Sequence, residues 1–321
     1  MESTSLELSQ FAEDVIGGLS STPKHLSSRY FYDDEGSRLF MEIMKLPEYY
    51  LTRAEMKIFT EQKDAICEAF SEGAGAVDLI ELGAGDGTKT AVLIEHLLSK
   101  GVDFTYHPID ISQEANDALS SRFHEKFPAL RIEPHTGDYF QVLGSLCNNN
   151  GRRKVVMFLG SNIGNFLRES AVAFFRDLRK VLSEDDRLFI GFDMQKDPRT
   201  IVAAYDDTQG VTSAFNLNLL RRINRELGGD FDLDKFSHYA QYRPMECAAR
   251  SFLISREKQT VTIKAINRSF DFYQWEPIFM EISQKYTHAM IDELSRDGGF
   301  EIAREFFNEK DFYIDSLWRP I

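Results

Sequence analysis

The stretch DLIELGAGDGTKT, Asp78 to Thr90, constrains the fold of this chain more than any other. Val77–Leu82 is a mostly apolar run of strand length, glycines follow at alternate positions, and residues 88–99 have the spacing of a helix. Gly83, Gly85 and Gly87 allow a tight turn and a close approach of backbone to a ligand. The P-loop pattern finds Lys89 and Thr90 in register behind Gly83. However, Thr88 stands where its second glycine must let amides wrap a phosphate. The dinucleotide pattern G-x-G-x-x-G fails at the same residue, where a side chain blocks close helix–strand packing. What remains is Glu81 ahead of Gly83-Ala84-Gly85-Asp86-Gly87, an acidic-x-G-x-G-x-G turn.

Strand and helix patterns alternate around that turn from about residue 54 to 196. Residues 54–70 read as a helix, and FTYHPIDIS as a strand ending at Asp110. Ala115, Leu119, Phe123 and Phe127 make one helix face, stopped by Pro128. RIEPHTGDYF reads as a strand ending near Asp138, KVVMFLG as another, residues 170–182 as a helix, and RLFIGFDMQKD as the closing strand. This alternation predicts an α/β fold, a doubly wound parallel sheet with helices on both faces. After Asp197 the rhythm changes. Residues 198–226 read as helical, GGDFDLDKF as a turn and helix start, and RSFLISREKQTVTIKA and SFDFYQW as antiparallel strands. Residues 286–296 return to a helix, followed by the strands GFEIAREFFNE and FYIDSLWRP. The N-terminus carries Leu8, Phe11, Val15, Ile16 and Leu19 at helical spacing. Two parts are expected: 54–197 with 286–321 as the nucleotide-binding sheet, and 1–53 with 198–285 as a second, α+β lobe.

On such a sheet the acidic-x-G-x-G-x-G turn has the form typical of S-adenosylmethionine (SAM)-dependent methyltransferases. Its glycines let the backbone approach the methionine and ribose parts, with no pyrophosphate to bind. Asp110, at the end of the next strand, fits a ribose ligand, because a carboxylate accepts from both hydroxyls. Asp138, after the third strand, is placed to accept from an adenine amino group. The competing structural role for each is to cap the helix that follows.

Composition narrows the partners. The chain has 321 residues and a net charge of −14, a surface that repels phosphate backbones and anionic lipid, so neither nucleic acid nor membrane is expected. Cys67, Cys147 and Cys247 are odd in number and far apart, which suits reduced thiols in a cytoplasmic protein. MESTSLELSQ lacks the features of a signal peptide, and no apolar run is long enough to span a bilayer. His25, His96, His107, His124, His135, His238 and His288 are scattered in sequence and are taken as surface or helix-face residues. No metal is expected, because transfer from a sulfonium needs an acceptor lone pair held in line rather than a Lewis acid.

Longer segments carry a more specific likeness. FYDDEGSRLFMEIMKLPEYYLTRAE, ELGAGDGTKT, FLGSNIGN, AAYDDTQGVTSAFNLNLLRRINRELGGDFDLDKF and MEISQKY together resemble the histidine Nα-methyltransferases of ergothioneine biosynthesis, over nearly the whole chain and in the same order. The resemblance implies a Rossmann-like class I methyltransferase sheet with a separate substrate-binding lobe, acting on an amino acid; a monomer is expected. It implies Nα-trimethylation of L-histidine to hercynine with SAM as co-substrate. Gly83, Lys89, Asp110, Asp138 and Tyr139 match the family's SAM contacts, and Gly85 completes the turn. Tyr139 stands where the family more often has Phe, which keeps a flat ring for adenine. Tyr32, Asn165 and Tyr205 match residues around the substrate's amino and carboxylate groups, with Asn165 and Tyr32 orienting the reacting amine. Tyr49, Glu281 and Ser283 match the side-chain pocket, and Phe215 is its wall. Glu281 and Ser283 are two positions apart on an expected strand, so both point to one face and suit the two ring nitrogens of an imidazole.

One departure bears on the substrate. Arg250-Ser251 stands where the family usually carries Glu-Met, and the methionine is expected to line the side-chain pocket. A serine there leaves a wider or more polar space, and related enzymes of this family methylate indole-bearing amino acids. Tryptophan is therefore the alternative acceptor, a non-catalytic SAM-binding protein the alternative of another class, and a NAD-dependent oxidoreductase the remaining one.

Overall fold

The computed structural model describes residues 2–146, 151–308 and 310–321; Cys147 lies outside them. From the N-terminus, α1 (Glu2–Ser20), β1 (Lys24–His25) and α2 (Asp34–Ile43) precede α3 (Leu51–Ser71). The alternating series is β2 (Val77–Leu82), α4 (Thr90–Ser99), β3 (Phe104–Asp110), α5 (Gln113–Lys126), β4 (His135–Thr136), α6 (Tyr139–Leu146), β5 (Arg153–Phe158), α7 (Arg168–Val181) and β6 (Arg187–Asp193). Then come α8 (Pro198–Tyr205), α9 (Val211–Leu227), β7 (Phe236–Arg243), β8 (Ala248–Ser255), β9 (Gln259–Ile263), β10 (Arg268–Phe272) and β11 (Pro277–Gln284). The chain closes with α10 (His288–Gly298), β12 (Phe300–Phe307) and β13 (Tyr313–Pro320). Its contacts divide it into two units, Met1–Tyr50 with Lys196–Ser283, and Leu51–Gln195 with Gln284–Ile321.

In the second of these units the strands form a seven-stranded sheet in the order β12-β13-β6-β5-β2-β3-β4. β4, β3, β2, β5 and β6 run parallel, while β13 inserts antiparallel between β6 and β12. Every position of β2 and β5 is buried, as expected where helices cover both faces of a parallel sheet. The core on the α7/α10 side stacks Phe192 on Trp318 and tilts Phe175 against the same indole. The chain adds β3 and β4 on one side of β2 and β5 and β6 on the other. The order therefore reverses beside β2, and in such sheets a ligand binds past the strand ends at that reversal. The glycine turn follows β2 directly. This is a doubly wound, Rossmann-like sheet with one antiparallel strand inserted between β6 and β12.

The other unit is built on a four-stranded sheet in the order β1-β11-β8-β7, plus the β9–β10 hairpin. α2 starts at Asp33, whose carboxylate accepts from Gly36 N at 2.8 Å and from Asn218 Nδ2 at 2.7 Å, and pairs with Arg225 at 2.6 Å. Burial alone would push the Asp33 carboxyl up; the Arg225 bond and the Gly36 amide outweigh it and hold the group low. α2 is thus pinned to α9.

Three local expectations change. Residues 198–226 form two helices, because Asp207 caps a new start by accepting from Val211 N at 3.0 Å and Thr212 N at 2.7 Å, and Gly210 turns the chain at φ +75°. The hydrophobic spacing lapses over residues 206–210, DDTQG, a polar run ending in glycine that marks the turn. DFDLDKF ends in one 3-10 turn at Leu233–Lys235 rather than a helix, and β7 begins at Phe236. RIEPHTGDYF pairs with β3 at Ile132 and again at His135–Thr136, and goes no further because Asp138 already starts α6.

Candidate active site

The glycine turn is held from below by Glu81. Its buried carboxylate accepts from Thr90 Oγ1 at 2.8 Å and from Tyr106 Oη at 2.5 Å, tying the start of α4 to β3. Burial raises this carboxyl to about 7, against the lowering effect of both hydroxyls. The three glycines have φ of +71°, +55° and +59°, the left-handed region that other residues enter at a cost. They are needed for different reasons. A Cβ on Gly83 would lie 2.9 Å from Tyr139 Oη, and one on Gly87 would lie 2.6 Å from Leu119 and 2.8 Å from Phe123. A Cβ on Gly85 would meet no atom within 4 Å, so the turn is open on that side. Thr88 donates its hydroxyl to Asp86 at 2.6 Å, which gives the threonine that breaks both phosphate patterns a role in shaping the turn.

Asp110 ends β3, and its carboxylate accepts from Ser112 N at 3.0 Å and from the amides of Ile111 and Gly85. Burial pushes its carboxyl up against those three donors. Asp138 performs the capping role: its Oδ1 accepts from Phe140 N at 3.0 Å and Gln141 N at 3.3 Å. Both bonds use one oxygen, which leaves the geometry of Oδ2 uncommitted. Tyr139 is half-buried, with its phenol raised to about 12 by burial and then by Asp110 and Asp138. A flat ring, a strand-end carboxylate and an open glycine backbone thus gather at the C-terminal ends of β2 and β3.

Lys89 reaches beneath this turn. Its ammonium pairs with Glu55, a fully buried residue of α3 that also accepts from Gly160 N at 2.9 Å and Tyr313 Oη at 2.8 Å. Burial opposes the Lys89 charge, but Glu55 more than compensates and its ammonium is held above the usual range. Asp315, fully buried beside them, is pushed well above the normal carboxyl range by burial and by Glu55. The sequence signal for Glu55 was an acidic residue on the apolar stripe Leu51, Ala54, Ile58 and Phe59 of α3. Asn165 ends the 3-10 turn Asn162–Asn165 that follows β5. That turn is fixed by Ser161 Oγ, which accepts from Asp193 N at 3.0 Å, and by Gly164, whose Cβ would lie 3.0 Å from Gln284 O.

The remaining expected residues belong to the other unit, in two groups. Tyr32, Tyr49 and Phe215 share Phe40: ring centroids lie 5.4, 6.1 and 5.9 Å from it, and Phe215 also meets Tyr32 at 5.7 Å. Tyr205, at the end of α8, donates its hydroxyl to Ser283 Oγ at 2.7 Å, and Glu281 lies two positions before Ser283 on β11. Ser251 is buried at 1% exposure on β8, and its Oγ has no hydrogen-bond partner among the described residues. Its neighbour Arg250 stacks 5.6 Å over Phe279 and pairs with Glu246 at 2.6 Å.

The histidines are not all surface or helix-face groups. His107 is buried on β3 and stacks on His135 of β4, with centroids 5.3 Å apart, and the His238 side chain is buried on β7. Cys67 is buried, with its thiol 3.7 Å from Leu93 O. Among the described residues no helix is long and apolar enough to cross a membrane.

The family profile described as "Histidine-specific methyltransferase, SAM-dependent" matches residues 11–320. The histidine N-alpha-methyltransferase of Mycolicibacterium smegmatis is 36% identical over 286 residues, covering 89% of this chain and 87% of that protein. Its counterpart in Mycobacterium tuberculosis has the same identity and coverage. Ergothioneine biosynthesis protein 1 of Schizosaccharomyces pombe is 28% identical over 290 residues, covering 88% of this chain and 37% of that longer protein.

Proposed function

We propose, from the premise that the chain belongs to the SAM-dependent, histidine-specific methyltransferase family and is an enzyme of it, that it methylates the α-amino nitrogen of L-histidine and proceeds to the trimethylated product, hercynine. The observation that carries this reading is the hydrogen bond from Tyr205 to Ser283, two residues from Glu281. Ser283 Oγ accepts from Tyr205, and a serine hydroxyl is also a donor, the role an unprotonated ring nitrogen requires. Glu281 can accept from the other, protonated one. An imidazole has that donor–acceptor pair and an indole has only the donor. A site whose buried polar groups need partners rejects a ligand lacking them far more strongly than it rejects a change of size.

SAM when bound supplies a methyl group on a sulfonium, an electrophile that needs no metal. Gly83, Gly85, Lys89, Asp110, Asp138 and Tyr139 are the residues that would hold it, and the open side of Gly85 beside the Asp110 carboxylate fits a nucleoside. Tyr32 and Asn165 orient the amine, whose lone pair must be free before each transfer. Solvent takes the proton that the ammonium must lose before each transfer, and the final quaternary product has none left to lose. Tyr49 and Phe215 wall the ring. The net charge of −14 supports a small-molecule substrate rather than nucleic acid or membrane, and we take the enzyme to act as a cytoplasmic monomer.

Mass spectrometry of SAM incubated with each of the twenty amino acids, counting the methyl groups added, tests the reading. Histidine gaining three methyl groups is the expected product, and failure to methylate histidine overturns it. Glu281→Ala should lose the preference for histidine over tryptophan; retention of that preference removes Glu281 from the ring site. A second reading, methylation of tryptophan, is favoured by Ser251, a small buried residue where the family carries methionine.

A further inference from the structure

His107, on β3, and Glu133 and His135, on the neighbouring segment, each offer one ligand atom, and those atoms all lie within 4.8 Å of one another. Strand register produces the cluster. β3 and the segment before β4 run parallel: Tyr106 opposes Ile132, Ile109 opposes His135 and Asp110 opposes Thr136. Tyr106 N donates to Arg131 O and Glu133 N donates to Tyr106 O, both at 2.9 Å, so this register is hydrogen-bonded at its start. One step on from the Tyr106–Ile132 pair, Glu133 falls opposite His107, and His135 is two positions further along the same edge. A strand alternates its faces, so all three side chains leave the sheet on one side.

We propose that these three residues form a binding site for a divalent transition-metal ion of the Zn²⁺ class. His107 Nδ1 and His135 Nε2 are 3.1 Å apart, and His107 Nδ1 is 3.7 Å from Glu133 Oε2. Tetrahedral coordination at bond lengths of about 2.0–2.1 Å separates neighbouring ligand atoms by about 3.3 Å, and the two distances bracket that value. Two imidazoles and one carboxylate suit Zn²⁺ and its neighbours in the first transition row and are poor for Ca²⁺ or Mg²⁺, which prefer oxygen. The opposite nitrogen of His107 faces Asp78 Oδ1 at 3.7 Å, and Asp78 is held by Arg152 at 2.6 Å. A carboxylate behind a ligand histidine is the usual outer support of such sites. His107 is buried and Glu133 is 65% exposed, so the site has a rigid floor and an open side for entry and a water ligand.

The ion has no part in methyl transfer. Asp110 and Asp138 each lie three residues beyond a ligand histidine, Asp110 at the end of β3 and Asp138 between β4 and α6. Closing His107 onto Glu133 and His135 fixes the edge strand to β3 and so fixes the spacing of those two carboxylates. The metal site is a clamp on the side of the sheet that carries the proposed adenosine contacts.

The test uses the full, tag-free chain after chelator treatment and dialysis. Zn²⁺ titration against a competing chromophoric chelator should show one equivalent bound with a Kd below about 1 µM at pH 7.5. His135→Ala and Glu133→Gln should each weaken binding at least tenfold. Circular dichroism verifies that they are folded; the buried His107 is left intact for that reason. Co²⁺ in place of Zn²⁺ should give the intense visible bands of a tetrahedral site in the wild type and lose them in His135→Ala. Uptake that is equal in wild type and both variants, or no stoichiometric uptake, overturns the proposal. A folded wild type whose melting temperature rises with Zn²⁺ while that of His135→Ala does not supports it independently of any activity.

Discussion

The backbone amide of Gly160 donates to the buried carboxylate of Glu55 at 2.9 Å, across 105 residues of sequence. The same carboxylate pairs with Lys89 and accepts from Tyr313, so one side chain of α3 joins the start of α4, the turn after β5 and β13. Glu55→Gln keeps an acceptor for Gly160 but removes the partner of the Lys89 charge. Glu55→Ala removes both. The expected losses of stability are about 1–2 kcal/mol for Gln and about 3 kcal/mol for Ala, read by urea unfolding. Equal, small losses in the two variants would mean that the network does not hold these elements together.

The Glu81 carboxyl makes stability depend on pH. It ionises near 4.5 in the unfolded chain and near 7 in the folded one, because burial outweighs its two hydroxyl donors. A proton held by the folded state stabilises it fully below the unfolded value, and that contribution fades as pH rises through about 7. Glu81→Gln cannot lose it. Between pH 5 and pH 8 the variant should gain about 2–3 kcal/mol on the wild type, whatever the offset between them at pH 5. Parallel pH profiles for the two proteins would contradict the buried, proton-holding role.

Gly85 and Gly87 separate binding from folding. Gly87→Ala drives a methyl group into Leu119 and Phe123 at positive φ and should cost about 2 kcal/mol or more. Gly85→Ala faces open space and should cost about 1 kcal/mol of backbone strain. Its effect belongs to the ligand, and SAM affinity by calorimetry should fall at least tenfold. The assignment fails if Gly85→Ala binds SAM as tightly as the wild type.

Tyr205 and Ser283 act as a pair. Tyr205→Phe and Ser283→Ala should each cost about 1 kcal/mol of stability, and the double variant less than their sum. With histidine as substrate, Ser283→Ala should raise KM while Tyr205→Phe does so less, since Ser283 keeps its proton. Fully additive stabilities would show that the 2.7 Å contact is not an energetic one.

Much of the sheet was readable beforehand. β2 spans Val77–Leu82 as its apolar run suggests, because a strand buried on both faces must be apolar almost throughout. The α8–α9 break falls in the polar residues 206–210, which interrupt the helical spacing, and Asp207 and Gly210 turn the backbone there. β7 was missed because half of FSHYAQYR is polar, and nothing in the run itself says that β8 will pair with it. For the candidate site, the glycine turn and the strand-end Asp110 and Asp138 follow from local pattern. Glu55 left a faint trace as a charge on an apolar helix stripe, but its partners left none.

By itself, then, the sequence determined the alternation of strands and helices, the turn after β2 that excludes both phosphate patterns at Thr88, and the position of Glu281 two residues before Ser283. These depend on neighbours within about one turn or one strand, where spacing and backbone chemistry act directly. Tertiary structure decided which distant groups meet: Glu55 with Gly160, Tyr205 with Ser283, and His107 with His135. Strand order and register set those meetings, and they arise from burying whole faces of helices and sheets, a condition on the entire chain that no short segment contains.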